Sequence, residues 1–295
     1  MAASGLEILH RAYEVVSTRT KRGYVGPDVS GSIRTLVRVS LQFLTSSACR
    51  PVDLISKVPG KEYIAYMRTA AETITSRPAN RALFAPDVAE VDAAWEAWLT
   101  GRGLPMDAAR FWYTVAIAPC IGLELFDRQN KKGPATYFEA LIGHIVATQL
   151  GTEPRRGQIF EVDGRHTRLT MDFLFDATQR YSAIHLPVKM STRERVVQAW
   201  AHQRILDRAF GEGRYKGVMV CFAETKLDSR SREVVEICVP DQWLAYQALL
   251  AKMARIYYFD IPIRYQALTT EFPDLLQIRN VHNLPTEIEL VVARQ

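Results

Sequence analysis

The 295-residue chain has little cysteine, and its four cysteines exclude more than they suggest. Cys49, Cys120, Cys221 and Cys238 show no C-x-x-C spacing, which argues against a zinc site and against a disulfide framework. They read as reduced core or near-core thiols of a cytosolic protein, Cys221 and Cys238 lying in apolar, strand-like runs. Long hydrophobic runs are also missing: nothing approaches the roughly 18 apolar residues that a membrane helix needs. The N-terminus, MAASGLEILHRAYEVVS, is amphipathic, contains acidic residues and lacks a long apolar stretch, so no secretory signal is expected and the expected location is the cytoplasm. There is no internal repeat and no low-complexity tract. Charge of one sign is only mildly in excess, at +5 with a pI near 9.0, which suits a localised basic surface without requiring one. With 48% hydrophobic residues the chain can bury the core of one large domain or two modest ones.

Read in order, the chain begins with an amphipathic helix. Then comes a basic, turn-rich stretch from Thr18 to Gly31 that reads as a solvated loop or a DNA-contacting arm. Residues 32–125 carry helical periodicity in SIRTLVRVSLQFLTSS, KEYIAYMRTAAETITS, APDVAEVDAAWEAWLTG and MDAARFWYTVAIAPCIGLELF, with stops at Pro51, Gly60, Pro78, Gly101 and Pro105. Trp95 and Trp98 read as packing residues. Arg128 to Gly133 is a charged linker, which divides the chain into a mainly helical part, 1–127, and a second part, 128–295. The second part opens on the helical pattern ATYFEALIGHIVATQL and continues with a strand near Gln158 to Val162. Lys216 to Ala223 is a continuous apolar run typical of a strand buried on both faces. A strand over Glu233 to Val239 and a helix capped by Asp241, DQWLAYQALLAKMARIYYF, follow, and the tail holds short strand-like pieces suited to a sheet edge or a dimer contact.

The chemistry concentrates between Leu169 and Leu206. Leu169 to Asp176 alternates, with Met171, Phe173 and Phe175 facing one side and Asp172, Leu174 and Asp176 the other. After a polar reversal at Thr178 to Tyr181, Ile184, Leu186 and Val188 form an apolar row opposite His185, Pro187 and Lys189. A hairpin about residues 179–181 brings Asp172 close to Lys189 on the non-core face. Ser191 and Glu194 have the S-x-x-E spacing of a capping box, so a helix starts near Thr192. Its first turn carries Arg193, Glu194 and Arg195, with Val196, Val197, Trp200, Ala201 and Ile205 as the buried stripe. Phosphodiester hydrolysis needs acidic groups to hold a divalent metal and a cation near the developing phosphorane charge, roles open to Asp172 and Lys189. Arginine matches guanine O6 and N7 bidentately and glutamate accepts from cytosine N4, each good pair giving roughly 1–3 kcal/mol of discrimination, so an Arg-Glu-Arg run suits adjacent G·C pairs.

These residues resemble the type II restriction endonucleases of the PD-(D/E)xK superfamily, in the group that cuts CCGG, CCNGG and CCWGG sites. There a metal-binding Asp on one strand is followed by a catalytic Lys on the next and by a charged recognition run in the following helix. Here Met171-Asp172 stands where Pro-Asp is usual, Val188-Lys189 carries the lysine, and the consecutive Arg193-Glu194-Arg195 is closer to the readers of CC and GG separated by a central base pair than to the R-x-D-R of plain CCGG readers. The resemblance covers about residues 135–240. It implies an α/β fold, with a mixed central β-sheet flanked by helices (restriction-endonuclease-like) and an N-terminal helical subdomain. It also implies Mg²⁺ as cofactor, double-stranded DNA as substrate, a homodimer matched to a palindromic site, and a cognate DNA methyltransferase as genetic partner. Asp172 and Lys189 take the catalytic positions, with Glu139, on the helix before the Asp strand, as a further acid. The group takes another carboxylate 13 or 14 residues after the lysine. Those positions are His202 and Gln203, candidates for weak or water-mediated metal contact, and the acid site two before the lysine is Pro187.

Other readings of the same residues stand beside this one. An Asp and a Lys on neighbouring strands also form ordinary surface ion pairs worth roughly 0–1 kcal/mol. Arg193, Glu194 and Arg195 fit a solvated first turn, and His202 fits a helix surface. Asp176 is an alternative metal ligand, although its hairpin partner would be Ile184 or His185, remote from Lys189. A superfamily nuclease that recognises DNA structure, and a DNA-binding module with a decayed active site, are the functional alternatives.

Overall fold

Helical spacing of apolar residues sets the first elements of the chain in a computed structural model that describes residues 5–191 and 196–294. Helix α1 (Gly5–Thr20) is followed by α2 (Pro27–Leu44), whose Ile33, Leu36, Val37, Leu41 and Leu44 make one buried stripe. The helix starts inside the stretch that composition marks as a loop. Pro27 at its first turn has its φ preset and needs no N–H partner there. Two capped helices follow a small sheet. Asp87 accepts the Ala89 and Glu90 amides to start α3 (Val88–Leu99), and Asp107 accepts the Arg110 amide to start α4 (Ala108–Phe126). Trp95 is buried in an aromatic cluster with Trp98, Phe111 and Trp112, a packing role.

The sheet between these helices corrects the helical reading of KEYIAYMR. Strand β1 (Cys49–Asp53), a two-residue strand β2 (Ile55–Ser56), β3 (Tyr63–Arg68) and β4 (Ala79–Asn80) are formed there, with β1 antiparallel to β3 and β3 to β4. Tyr63 to Met67 are all buried, so no amphipathic face exists for a helix to use, and a short apolar run enclosed on both sides resolves as a strand. Helix α5 (Lys132–Leu150) then begins. Within α4, Pro119 has no N–H to offer the Val115 carbonyl, and the Tyr137 hydroxyl of α5 donates to that oxygen at 2.8 Å. This bond pins the stretch of α5 that carries Glu139.

From here the chain builds its main sheet with β5 (Arg155–Val162), β6 (Arg165–Phe175), β7 (Ala183–His185), β8 (Val188–Lys189), helix α6 (Val196–Phe210) and β9 (Tyr215–Cys221). A hairpin of β10 (Thr225–Asp228) and β11 (Glu233–Glu236) pairs with β2, parallel. The rest comprises α7 (Pro240–Ala245), one π-helical turn at Tyr246–Leu250, β12 (Met253–Tyr258), α8 (Ile263–Glu271), β13 (Ile278–Asn280) and α9 (Leu284–Val292). By packing, residues 1–141 with 225–237 form one unit and residues 142–224 with 238–295 another.

The second unit holds a mixed seven-stranded sheet in the order β13-β12-β9-β7-β6-β5, with β8 also on β9. Its β13, β12, β9, β7 and β8 run parallel, while β5, β6 and β7 form an antiparallel meander. The continuous apolar run of β9 is central and fully buried, as expected of a parallel strand covered on both faces. The long helix expected from Asp241 onward is interrupted. Gln247 turns its amide back to accept from the Met253 amide (3.0 Å) and donate to the Met253 carbonyl (2.8 Å), so MARIYY leaves as strand β12 beside β9. The cap of α7 is at Val239 with Pro240 in the first turn, and Asp241 lies inside the helix. The tail is two helices around one edge strand, β13.

Candidate active site

Asp172 lies on β6 and Lys189 on β8, and a proline sets how they meet. The β6–β7 ladder ends with the Leu186 amide donating to the Phe173 carbonyl (3.0 Å). Pro187 has no N–H to continue it, and its carbonyl turns to accept from Val220 (2.9 Å). The chain thereby transfers to β9, with Lys189 registered against Cys221. The Val188 amide, left without a ladder partner, donates to Asp172 Oδ2 at 2.9 Å, and Lys189 Nζ donates to the same oxygen at 2.7 Å. Asp172 and Lys189 side chains are 23% and 20% exposed, so the pair is sheltered yet open to a ligand. Both bonds fall on one oxygen, and Oδ1 is the oxygen left open among the described residues.

The face opposite the apolar row differs from its reading as a polar surface. Leu174 and His185 are both fully buried there, under α6. Gln203 of α6, 1% exposed, donates from Nε2 to the Tyr215 carbonyl and to Asp207, each at 2.9 Å. Two acceptors on the nitrogen fix the amide orientation. Oε1 therefore accepts from His185 Nδ1–H at 3.1 Å, and His185 is the neutral Nδ1–H tautomer. The amide lies so close to β9 that a Cβ on Gly217 would come within 2.8 Å of Gln203 Oε1. Gln203 is thus a strut between helix and sheet, its oxygen already taken.

His202, its neighbour, is half-buried, and its ring centroid stands 6.1 Å from that of His185. Burial lowers the pKa of His202, with the Asp172 charge opposing and the Lys189 charge adding, which places it in the field of the pair. Burial takes His185 down to about 4, only partly offset by its bond to Gln203. In the unfolded chain this imidazole titrates near 6.5, so between those values the unfolded state binds the extra proton. The associated stability is complete above about pH 6.5 and lost as pH falls toward 4, up to about 3 kcal/mol. Urea midpoints followed from pH 7 to 4.5 are expected to fall more steeply in the wild type than in His185→Asn, which keeps a donor for Gln203; parallel curves would contradict this.

Asp176 is exposed and pairs with Arg155 at 3.0 Å, away from Lys189. Glu139 is half-buried on α5, in the part of that helix belonging to the first unit. The capping box at Ser191 and Glu194, and the run Arg193, Glu194 and Arg195, fall largely on residues 192–195, outside the described residues. Among the described residues no three His, Cys, Asp or Glu side chains cluster as a metal cage. A single carboxylate with one open oxygen still fits Mg²⁺, which keeps several waters and binds through one or two carboxylates plus substrate phosphate. His185 and the role of Gln203 escaped sequence reasoning. The available signal was a histidine in a strand flanked by apolar residues.

No protein-family model matches the chain, and no curated protein matches its sequence. Its architecture is the restriction-endonuclease fold. In particular, it matches the type IIP restriction endonuclease Kpn2I with a TM-score of 0.78 at 23% identity, over 95% of this chain and 96% of that one. Weaker likenesses are to the restriction endonuclease PspGI in its substrate DNA complex (TM-score 0.46, 16% identity, 69% of this chain and 86% of that one) and to BsaWI in a pre-specific DNA complex (0.32, 11%, 98% and 93%). No helix among the described residues is long and apolar enough to cross a membrane.

Proposed function

We propose that the protein is a Mg²⁺-dependent type II restriction endonuclease that cleaves double-stranded DNA at a palindromic site with a CC…GG core. The observation that carries this is the Asp172–Lys189 pair, with the Val188 amide on the same oxygen, set on the sheet of a restriction-endonuclease fold. Asp172 Oδ1 would hold the ion, with His202 acting through water and Gln203 supporting the site from behind; Glu139 is the further acid that the resemblance assigns. Bound there, Mg²⁺ supplies positive charge to the phosphate and lowers the pKa of an attacking water. The Val188 amide and the Lys189 ammonium hold the Asp172 carboxylate in one rotamer, and the same ammonium carries its charge toward the phosphorane, where a preorganised cation lowers the barrier most.

On this reading Arg193, Glu194 and Arg195, which precede α6 in the sequence, read the C·G pairs. Residues 128–295 carry catalysis and recognition, with 1–127 as the accompanying N-terminal part. A homodimer places one site on each strand of the palindrome, the protein works in the cytoplasm, and a methyltransferase of the same specificity protects the host DNA. Incubation of supercoiled plasmid with Mg²⁺ tests the reading: linear and smaller discrete products are expected, and EDTA is expected to abolish them. His202→Glu, which restores a carboxylate 13 residues after the lysine, is expected to lower the Mg²⁺ needed for half-maximal rate by about tenfold. An unchanged Mg²⁺ titration would remove His202 from the metal's surroundings.

One observation favours a second reading. With Pro187 and His202 in place of acids and the Gln203 oxygen engaged, a DNA-binding module with a decayed centre would retain this architecture. It would shift duplex DNA in a gel and leave it intact in Mg²⁺.

A further inference from the structure

The two strands next to the reactive pair extend well past their neighbours. β5 and β6 pair from Gly157↔Thr170 out to Val162↔Arg165, whereas β7 takes up β6 only at Leu174 and Phe175. Residues 157–170 are therefore a two-stranded ribbon whose outer edges have no strand partner among the described residues. Asp163 and Gly164 turn it with φ of 50° and 75°, the positive values that a two-residue hairpin turn requires. A lone two-stranded ribbon is marginal in water, and this one leaves Ile159 and Val162 60% and 54% exposed. Phe160 anchors its base side on Phe210 of α6, ring centroids 5.9 Å apart. Cross-strand pairing puts Arg168 beside Ile159 on one face and Arg165 beside Val162 on the other. Both arginines are exposed, and neither has an acidic partner among the described residues. Gly157 lets Arg168 lie along the ribbon, since a Cβ there would meet its Nε at 2.9 Å.

We infer that this ribbon enters a groove of duplex DNA flanking the cut site, with Arg165 and Arg168 on backbone phosphates. The inference rests on the reading of the chain as a DNA nuclease and adds a contact outside the recognition core. The major groove, about 12 Å wide, admits a two-stranded ribbon. The arginines share strand β6 with Asp172. At about 3.4 Å per residue they stand roughly 14 Å (Arg168) and 24 Å (Arg165) along the strand from it, or about four and seven base-pair steps of duplex. Pairing of the β5 edge with a second copy would cover Ile159 and leave both arginines unused. A ribbon seated in the groove turns one arginine toward each of the two flanking phosphate backbones and so uses both.

The test is fluorescence anisotropy with a 30-base-pair duplex, without divalent metal, over a range of salt. For Arg165→Ala/Arg168→Ala, affinity at 0.15 M salt is expected to be about tenfold weaker, and the slope of log affinity against log salt shallower by about 2. Arg165→Lys/Arg168→Lys is expected to restore the slope, which separates charge from any effect on folding. Wild-type binding with an unchanged slope in the alanine variant overturns the inference and leaves the nuclease reading standing, as does an altered sedimentation mass at unchanged slope. Absence of wild-type binding overturns both.

Discussion

Asp172→Asn is expected to leave the protein folded and to slow DNA cleavage by about 10³-fold. The asparagine oxygen can still accept the Val188 amide that Pro187 strands at the end of the β6–β7 ladder, so the local backbone keeps its bond. What disappears is the negative charge that would hold a hard cation and fix the Lys189 ammonium. Lys189→Met is expected to give a loss of similar size for the opposite reason, removing the cation while Asp172 remains. Stability is a separate readout. The pair is partly exposed, and such ion pairs contribute at most about 1 kcal/mol. Single-turnover cleavage rates set beside urea midpoints therefore separate chemistry from folding. A rate within tenfold of wild type in either folded variant would remove the pair from catalysis.

Gln203→Leu is expected to show the reverse pattern, with a loss of about 3 kcal/mol of stability. Leucine fills nearly the same volume but leaves the His185 Nδ1–H and the Tyr215 carbonyl buried without partners, at about 1–3 kcal/mol each. Asp207 also loses its donor, but it is less deeply placed and regains water. A loss under 1 kcal/mol by urea denaturation would contradict the strut. A loss of cleavage with stability unchanged would return Gln203 to the metal's surroundings.

The pattern of residues 169–189 made the site legible because three local rules agree there. Strand alternation, a polar reversal and a hairpin bring the two segments together, while the transfer of the chain to β9 at Pro187, which sets how Lys189 meets Asp172, is not written in the local pattern. The same alternation misassigned the second face, since Leu174 and His185 sit under α6, and what covers a strand is decided by a helix distant in sequence. KEYIAYMR and MARIYY carry helical spacing yet form strands for a related reason. Short apolar runs fit both periods, and the neighbours that make them strands, β1 for one and β9 for the other, lie outside the local window. The Gln203–His185 bond depends on packing that no spacing encodes. Glu139 remains a proposal carried by resemblance, as do Arg193, Glu194 and Arg195.

The central claim is best tested by digesting a long DNA of known sequence with the wild-type protein in Mg²⁺ and sequencing the fragment ends. Discrete fragments whose ends share one palindrome with a CC…GG core are predicted. DNA that stays intact although the protein binds it, or ends scattered without a common sequence, would contradict the account.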